Sequence, residues 1–397
     1  MPIEKMTPVE KCAVLSLAMI MSLRMVGLFM VLPVFTLYAI QLLDATPMLM
    51  GLAVGVYGFT QGVLQLPFGL FSDHVGRKKI IALGLGIFIL GSALATYTHT
   101  IWGMILARAL QGAGAVGSTI MAFIADLTRE TQRTKAMAIA GITIGGSFSL
   151  AMILGPLLST TMPVNDLFGL AALFGILALI ILFTWVPTPT APINFARSPL
   201  FSTQILPLFV HPTLLQLNIG IFILHTIFTA NMIALPLSLQ TVAHLSGAHQ
   251  WIVFLPALVF ALFLTFPLIT IAEKKYRLKK IFLLAIGLLG LAELLFYWVG
   301  NNLLLSMLGL LLFFTGFSLL EAFLPSLISK TAPAHRKGAA LGIYSSSQFL
   351  GIFVGGVLGG WLYGDFNLAT VYLFCSALVI IWLGIAFTMK NPQHQTF

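Results

Sequence analysis

Apolar runs of helix length follow one another along almost the whole chain, each closed by a short polar segment. About 20 apolar residues suffice for a helix to cross the hydrocarbon core of a bilayer. On that criterion the pattern predicts helices over 13–41, 48–71, 79–98, 101–127, 135–161 and 165–186, and six more over 212–238, 249–272, 280–299, 302–328, 338–363 and 366–389. The one long polar stretch, 187–211, holds Pro187, Pro189, Pro192, Pro199 and Pro207. The expected architecture is an all-α integral membrane protein of twelve transmembrane helices. It divides into an N-terminal six-helix bundle (1–186), a linker (187–211) and a C-terminal six-helix bundle (212–397).

Composition agrees with that pattern. Hydrophobic residues make up 59% of the chain and charged residues 8%, against roughly 25% charged in a soluble domain. Such a chain cannot cover a water-facing surface and needs lipid around it. Of the 20 Lys and Arg residues, all but Arg24 and Arg108 fall in the N-terminus, the loops after even-numbered helices, the linker or the tail. The opposite loops contain none. By the positive-inside rule both termini and the linker are expected in the cytoplasm, as in a bacterial inner-membrane protein. The net charge of +9 is thus a topological signal, and no nucleic-acid partner is expected. The polar start, Met1 to Lys11, has no small-residue cleavage site after it, so no removable signal peptide is expected.

The two halves echo each other. Leu66-Pro67-Phe68 with Asp73 and Arg77 is matched 200 positions later by Phe266-Pro267-Leu268 with Glu273 and Arg277. Pro33 and Pro236, and Gly155 and Gly359, keep nearly the same spacing. Parallel repeats about a membrane-normal axis, with a site between them, are a known plan for secondary transporters.

The loop after the second predicted helix reads Gly69-Leu70-Phe71-Ser72-Asp73-His74-Val75-Gly76-Arg77-Lys78. This resembles the signature loop of the major facilitator superfamily and occupies the same place in the chain. His74 departs from it, standing where Arg or Lys is usual, which removes a fixed charge and adds a group able to sense pH. The resemblance implies a conformational latch built from Gly69, Asp73, Gly76, Arg77 and Asp126. Asp73 would face the N-terminus of helix 11, near Gly338, and Arg77 would pair with Asp126. The alternative is a solvated loop carrying positive-inside charges. A second resemblance lies in helix 4, where Arg108 is followed by Gln111, Gly112 and Gly114. A third lies in helix 5, where Gly141, Gly145, Gly146 and Gly155-Pro156 resemble the motif of the drug–proton antiporter branch; generic small-residue packing is the other reading. Further likeness to bacterial inner-membrane transporters of this kind runs through Met21–Pro33, Asp126–Glu130, Leu324–Lys330 and Tyr344–Gly351. The relative in question carries a small soluble domain after helix 12. This sequence ends at Phe397, so regulation through such a domain is expected to be absent.

Ionisable side chains inside apolar spans are expensive and mark functional sites by default. The coupling candidates are Arg24, Arg108, His225 and Glu321, each of which also admits a structural role as a clamp between helices. Asn218 lies one heptad before His225. Glu321 is the first candidate for the titrating group, because helix 1 has no carboxylate between Lys11 and Asp44; His225 is the reserve. Glu293 lies on helix 9, which is peripheral in this family, and is expected to face lipid, with protonation or a place nearer the outer surface as the alternatives. Candidates for the substrate cavity are Met25, Phe29, Tyr57, Gln61, Phe228, Tyr344 and Gln348. Tyr57, Gln61 and Gln65 recur every four residues on helix 2, as Tyr344 and Gln348 do on helix 11, so these stripes either line the cavity or bond across a seam.

Cys12 and Cys375 are far apart and His244 and His249 are too sparse to hold a metal. No nucleophile–base set and no phosphate-binding glycine loop is present, so neither an enzyme nor a cofactor is expected. The expected function is proton-coupled efflux of a small amphipathic compound by alternating access, performed by a monomer. A metabolite importer or uniporter, and a non-transporting sensor or scaffold, are the alternatives. The topology has a direct test. Cysteines placed at Ala45, His99, Asn301 and Asp365 should label from the periplasm, and those at Lys78, Arg197 and Lys337 only from the cytoplasm. One site labelling from the wrong face would break the twelve-helix count.

Overall fold

The computed structural model describes residues 5–187, 206–274, 277–298, 302–333 and 336–389. Most of the expected linker, including Arg197, lies outside them. The helices are α1 (Pro8–Phe29), α2 (Leu32–Ala39), α3 (Pro47–Val75), α4 (Arg77–Tyr97), α5 (Ile101–Ala113), α6 (Gly117–Asp126), α7 (Glu130–Leu158) and α8 (Val164–Thr184). They continue as α9 (Leu206–Val210), α10 (Pro212–Thr241), α11 (Trp251–Lys274), α12 (Leu278–Trp298), α13 (Leu303–Thr331), α14 (Lys337–Asp365) and α15 (Leu368–Thr388). Among the described residues, eleven spans are long and apolar enough to cross a membrane, α1 and α2 counting together as one. The remaining expected crossing, 101–127, is α5 followed by α6.

Two expected helices are therefore interrupted. The first breaks at Met30–Val31, just before Pro33, whose ring removes a backbone donor. The fourth breaks after Gly114, where the chain leaves helical geometry. A side chain at Gly114 would run into the Gly84 carbonyl and Phe88 of α4. Glycine permits the close approach and is also a weak helix former.

The chain forms two compact units. One comprises Met1–Phe35 with Thr60–Leu200, the other Thr36–Phe59 with Phe201–Phe397. In the first unit α1 packs against α7 and α8, and α4 against α5 and α8. Its apolar centre includes Leu17, Ile20, Leu85, Ile120, Phe123 and Leu182, all essentially inaccessible to solvent. In the second unit α10 packs against α13, α14 and α15, α12 against α13 and α15, and α11 against α13.

The internal repeat extends to details. Asp44 and His244, 200 residues apart in sequence, are the only non-glycine residues with positive φ among those described. Lys78 Nζ donates to the Val186 carbonyl just past α8 at 3.1 Å. Its counterpart Lys279 donates to the Phe387 and Met389 carbonyls at the end of α15, at 2.9 and 2.6 Å. In each unit a lysine thus satisfies helix-end carbonyls that lack partners of their own.

Glycines set the tightest contacts of the second unit. A Cβ on Gly351, Gly355 or Gly359 of α14 would collide with Phe222, Thr226 or Ala230 of α10 respectively. The constant register, advancing by four on both sides, shows that α10 and α14 run parallel. Gly51, Gly55 and Gly58 on the first half of α3 press on Gly360, Gly356 and Phe349 with opposite sense, so that segment runs antiparallel to α14. Small residues four apart let backbones touch, the usual device where lipid removes any hydrophobic drive between helices. In helix α7 only Gly155 behaves this way, against Met30. Gly141, Gly145 and Gly146 have open space where a Cβ would stand, so the expected close packing there is confined to one glycine. Gly355→Leu should therefore lower the melting temperature in detergent, by overpacking worth about 1–3 kcal/mol, while Gly145→Ala should leave it unchanged. Equal thermostability of both variants would contradict the α10–α14 contact.

A candidate proton and substrate site

Three helices of the second unit bring His225 (α10), Glu321 (α13) and Gln348 (α14) together. His225 Nε2 lies 3.1 Å from Glu321 Oε1. The Gln348 amide nitrogen lies 2.9 Å from His225 Nε2 and donates to Glu321 Oε1 at 3.3 Å. On the other side of the ring, His225 Nδ1 is 3.3 Å from the Ile221 carbonyl, an acceptor only. Nδ1 therefore carries the hydrogen in the neutral ring, which leaves Nε2 as a lone pair facing a carboxylate oxygen. In that tautomer Nε2 accepts from the Gln348 amide, which also donates to Glu321 Oε1, and a proton added on the carboxyl group would give the pair a direct bond as well. The imidazole is buried, with Phe228 and Phe317 against it at ring distances of 6.2 and 5.7 Å. Glu321 keeps 32% of its side chain exposed.

Tyr344 lies one turn before Gln348 on α14 and is buried, as is Asn218 one heptad before His225. Phe228 lies tilted against Phe317 with ring centres 4.8 Å apart. Tyr57, on the first half of α3, is buried edge-on against Phe349 at 6.0 Å. Tyr57 belongs to the second unit, while Gln61 belongs to the first and is buried against Arg24.

In the first unit Arg24 Nη2 donates to Gln61 Oε1 at 2.8 Å, and its guanidinium sits 5.7 Å above the Phe88 ring. Arg108 donates to Gln111 at 2.8 Å, Gln111 donates to Ser92 at 2.9 Å, and the Arg108 guanidinium lies over Phe35. Both arginines are 1% exposed. Delocalised charge, an amide oxygen and an aromatic face are what a buried guanidinium needs. Met25 is buried in the same unit, and Phe29 meets Phe148 edge-on at 5.2 Å.

The signature loop is the turn between α3 and α4. Gly76 there has φ 104°, a region open to glycine. Arg77 binds Asp73 at 2.5 Å, Asp126 at 2.9 Å and Ser72 Oγ at 2.6 Å, and so fastens the end of α3 to the end of α6. Gly69 lets α3 approach Ser118 of α6, whose hydroxyl donates to the Gln65 carbonyl. His74 is exposed in the last turn of α3.

Two features escaped sequence reasoning. Glu10, buried in the first turn of α1, accepts from the Arg129 backbone, Nε and Nη2 at 2.9, 2.9 and 3.0 Å. It also completes a capping box with Thr7. The Thr7-x-x-Glu10 spacing was the available signal. Glu293, expected against lipid, is instead fully buried on α12, where its carboxylate accepts from Asn231 of α10 at 2.6 Å.

Both units carry buried ionisable groups on closely packed apolar helices. The chain belongs to the Major Facilitator Superfamily, which it matches over residues 17–351 and again over 217–396. It is 42% identical over 390 residues to the inner membrane transport protein YajR of Escherichia coli, covering 98% of this chain and 86% of that one. It is 24% identical to the quinolone resistance protein NorA of Staphylococcus aureus, covering 93% and 94%. A segment of 109 residues, 27% of this chain and 28% of the other, is 38% identical to multidrug resistance protein D of E. coli. In fold it is similar to the nucleoside transporter NupG, with a TM-score of 0.76 at 13% identity over 94% of this chain and 99% of that one.

Proposed function

We propose that this transporter exports a small amphipathic compound from the cytoplasm in exchange for protons, working by alternating access between its halves, 1–186 and 212–397. The observation that carries the reading is the His225–Glu321–Gln348 contact. A proton shared there would add a direct bond between His225 and Glu321, and the carboxyl group keeps 32% of its side chain exposed. Releasing that proton charges the pair and weakens it, which gives protonation a grip on α10, α13 and α14 together. The neighbouring aromatic side chains Phe228, Phe317 and Tyr344 offer an adaptable apolar lining for the compound. The drug-resistance names among the relatives support efflux as the direction, and the one-sided Lys and Arg distribution supports cytoplasmic termini.

The turn held by Arg77 serves as the latch. Asp73→Asn should remove an anion that favours the closed cytoplasmic side, worth roughly 0.3–1 kcal/mol, and shift the inward-open population several-fold. Normal transport with unchanged cysteine accessibility on both faces would exclude this role. The coupling claim is tested with Glu321→Gln in proteoliposomes carrying an imposed pH gradient, with ethidium as the probe. The variant should retain downhill exchange and lose acceleration by the gradient. Acceleration at the parent level would eliminate Glu321 and transfer the role to His225.

A further inference from the structure

A second buried carboxyl group in the same unit plays no part in that mechanism. Glu293 is 0% exposed, and so is Asn231, its partner on α10. Only one oxygen of the carboxyl group, Oε1, is engaged, by Asn231 Nδ2 at 2.6 Å. The other oxygen of each group, Glu293 Oε2 and Asn231 Oδ1, is buried and has no hydrogen-bond partner among the described residues.

That pattern has a simple chemical solution. An ionised carboxylate and an amide oxygen are both acceptors, and neither can satisfy the other. Leaving both orphaned in a dry site costs the desolvation of each. A proton on Oε2 would turn it into a donor, for which Oδ1 is the unpartnered acceptor of the same pair. With Nδ2 already donating to Oε1, the acid and the amide would then close into a pair with two hydrogen bonds, one in each direction. We infer that Glu293 and Asn231 form a proton-binding site, in which one proton closes an acid–amide ring that ties α12 to α10.

The surroundings fit a neutral acid. Tyr372 and Cys375, both buried on α15, interact electrostatically with Glu293, and neither is a cation. On α13, Glu321 is engaged with His225 and Gln348, and Lys330 lies in the last turn. His225 precedes Asn231 by six residues on α10, about 240° around the helix, so the two carboxyl groups approach α10 on different faces. The corresponding position of the first unit, 201 residues earlier, is Ser92, also buried and hydrogen-bonded. A helix that is apolar by composition thus carries an inward polar contact at the same place in both repeats.

The proton separates this inference from two others, a buried carboxylate and a small cation shared by Oε2 and Oδ1. Infrared spectra of the purified protein in nanodiscs at neutral pH should show the carbonyl stretch of a protonated, hydrogen-bonded carboxyl group. That band should vanish in Glu293→Gln, and the difference should persist in a Glu321→Gln background. Glutamine reproduces both hydrogen bonds of the neutral acid, so Glu293→Gln should melt at the parent temperature. Glu293→Ala and Asn231→Leu should both melt several degrees lower. In Asn231→Leu the carboxyl band should remain and move to higher frequency, because its acceptor is gone. Absence of the band from the parent, failure of Glu293→Gln to fold, or stabilisation of the parent by sodium over choline that Glu293→Gln abolishes would each overturn the proton site.

Discussion

No water reaches the middle of a bilayer to satisfy a polar group, so every charged or hydrogen-bonding side chain there must find its partner inside the protein. That constraint organises this structure. Arg24 meets Gln61, Arg108 meets Gln111 and through it Ser92, Glu293 meets Asn231, and Glu321 meets His225 and Gln348. Each partnership joins different helices or consecutive turns of one, so each also fixes a position. Most of these contacts match donors to acceptors whatever the pH. The two involving carboxyl groups are the ones that gain a bond on protonation, so they are the ones that can respond to a proton gradient.

Such contacts form only if the helices come close enough. The α10–α14 pair shows how the chain arranges it. Gly351 and Gly355 bring the backbone of α14 onto Phe222 and Thr226. His225 and Gln348 lie beside those contact points, and Thr226 adds a hydrogen bond of 3.2 Å to the Gly351 carbonyl. Side chains in place of these glycines would hold the helices apart and separate the imidazole from the amide. The glycine register and the polar cluster are two parts of one device. The same logic holds in the first unit, where Gly114 gives up helical geometry to lie against Gly84. Arg108 and Gln111 are carried on the last turns of α5, just before that break.

The helices were legible because each is a long apolar run between polar ends, and their positions follow from that alone. The breaks at Met30 and Gly114 were harder to read. Pro33 and the Gly112–Gly114 cluster signal weakness, but they do not say whether neighbouring backbone will exploit it. Glu321, His225 and Gln348 were each readable as polar residues in apolar surroundings, while their convergence depended on helix pairing that one sequence does not reveal. Glu293 shows the limit most clearly. A peripheral helix suggested lipid, yet α12 turns that residue inward toward Asn231. Asn231 itself was overlooked, although an Asn in the middle of a long apolar span needs a partner. Glu10 was passed over as part of a polar terminus, because its function rests on a contact with Arg129, 119 residues away.

The central claim is that protonation of the His225–Glu321 pair sets the balance between conformations, and it can be tested without knowing the substrate. Spin labels at Arg133 and Lys337 report one face, and labels at His99 and Asp365 the other; all four positions are exposed. The account predicts that lowering the pH shifts both distance distributions in opposite senses in the parent protein and leaves them fixed in Glu321→Gln. Distributions that ignore pH in the parent, or that move equally in the variant, would contradict it.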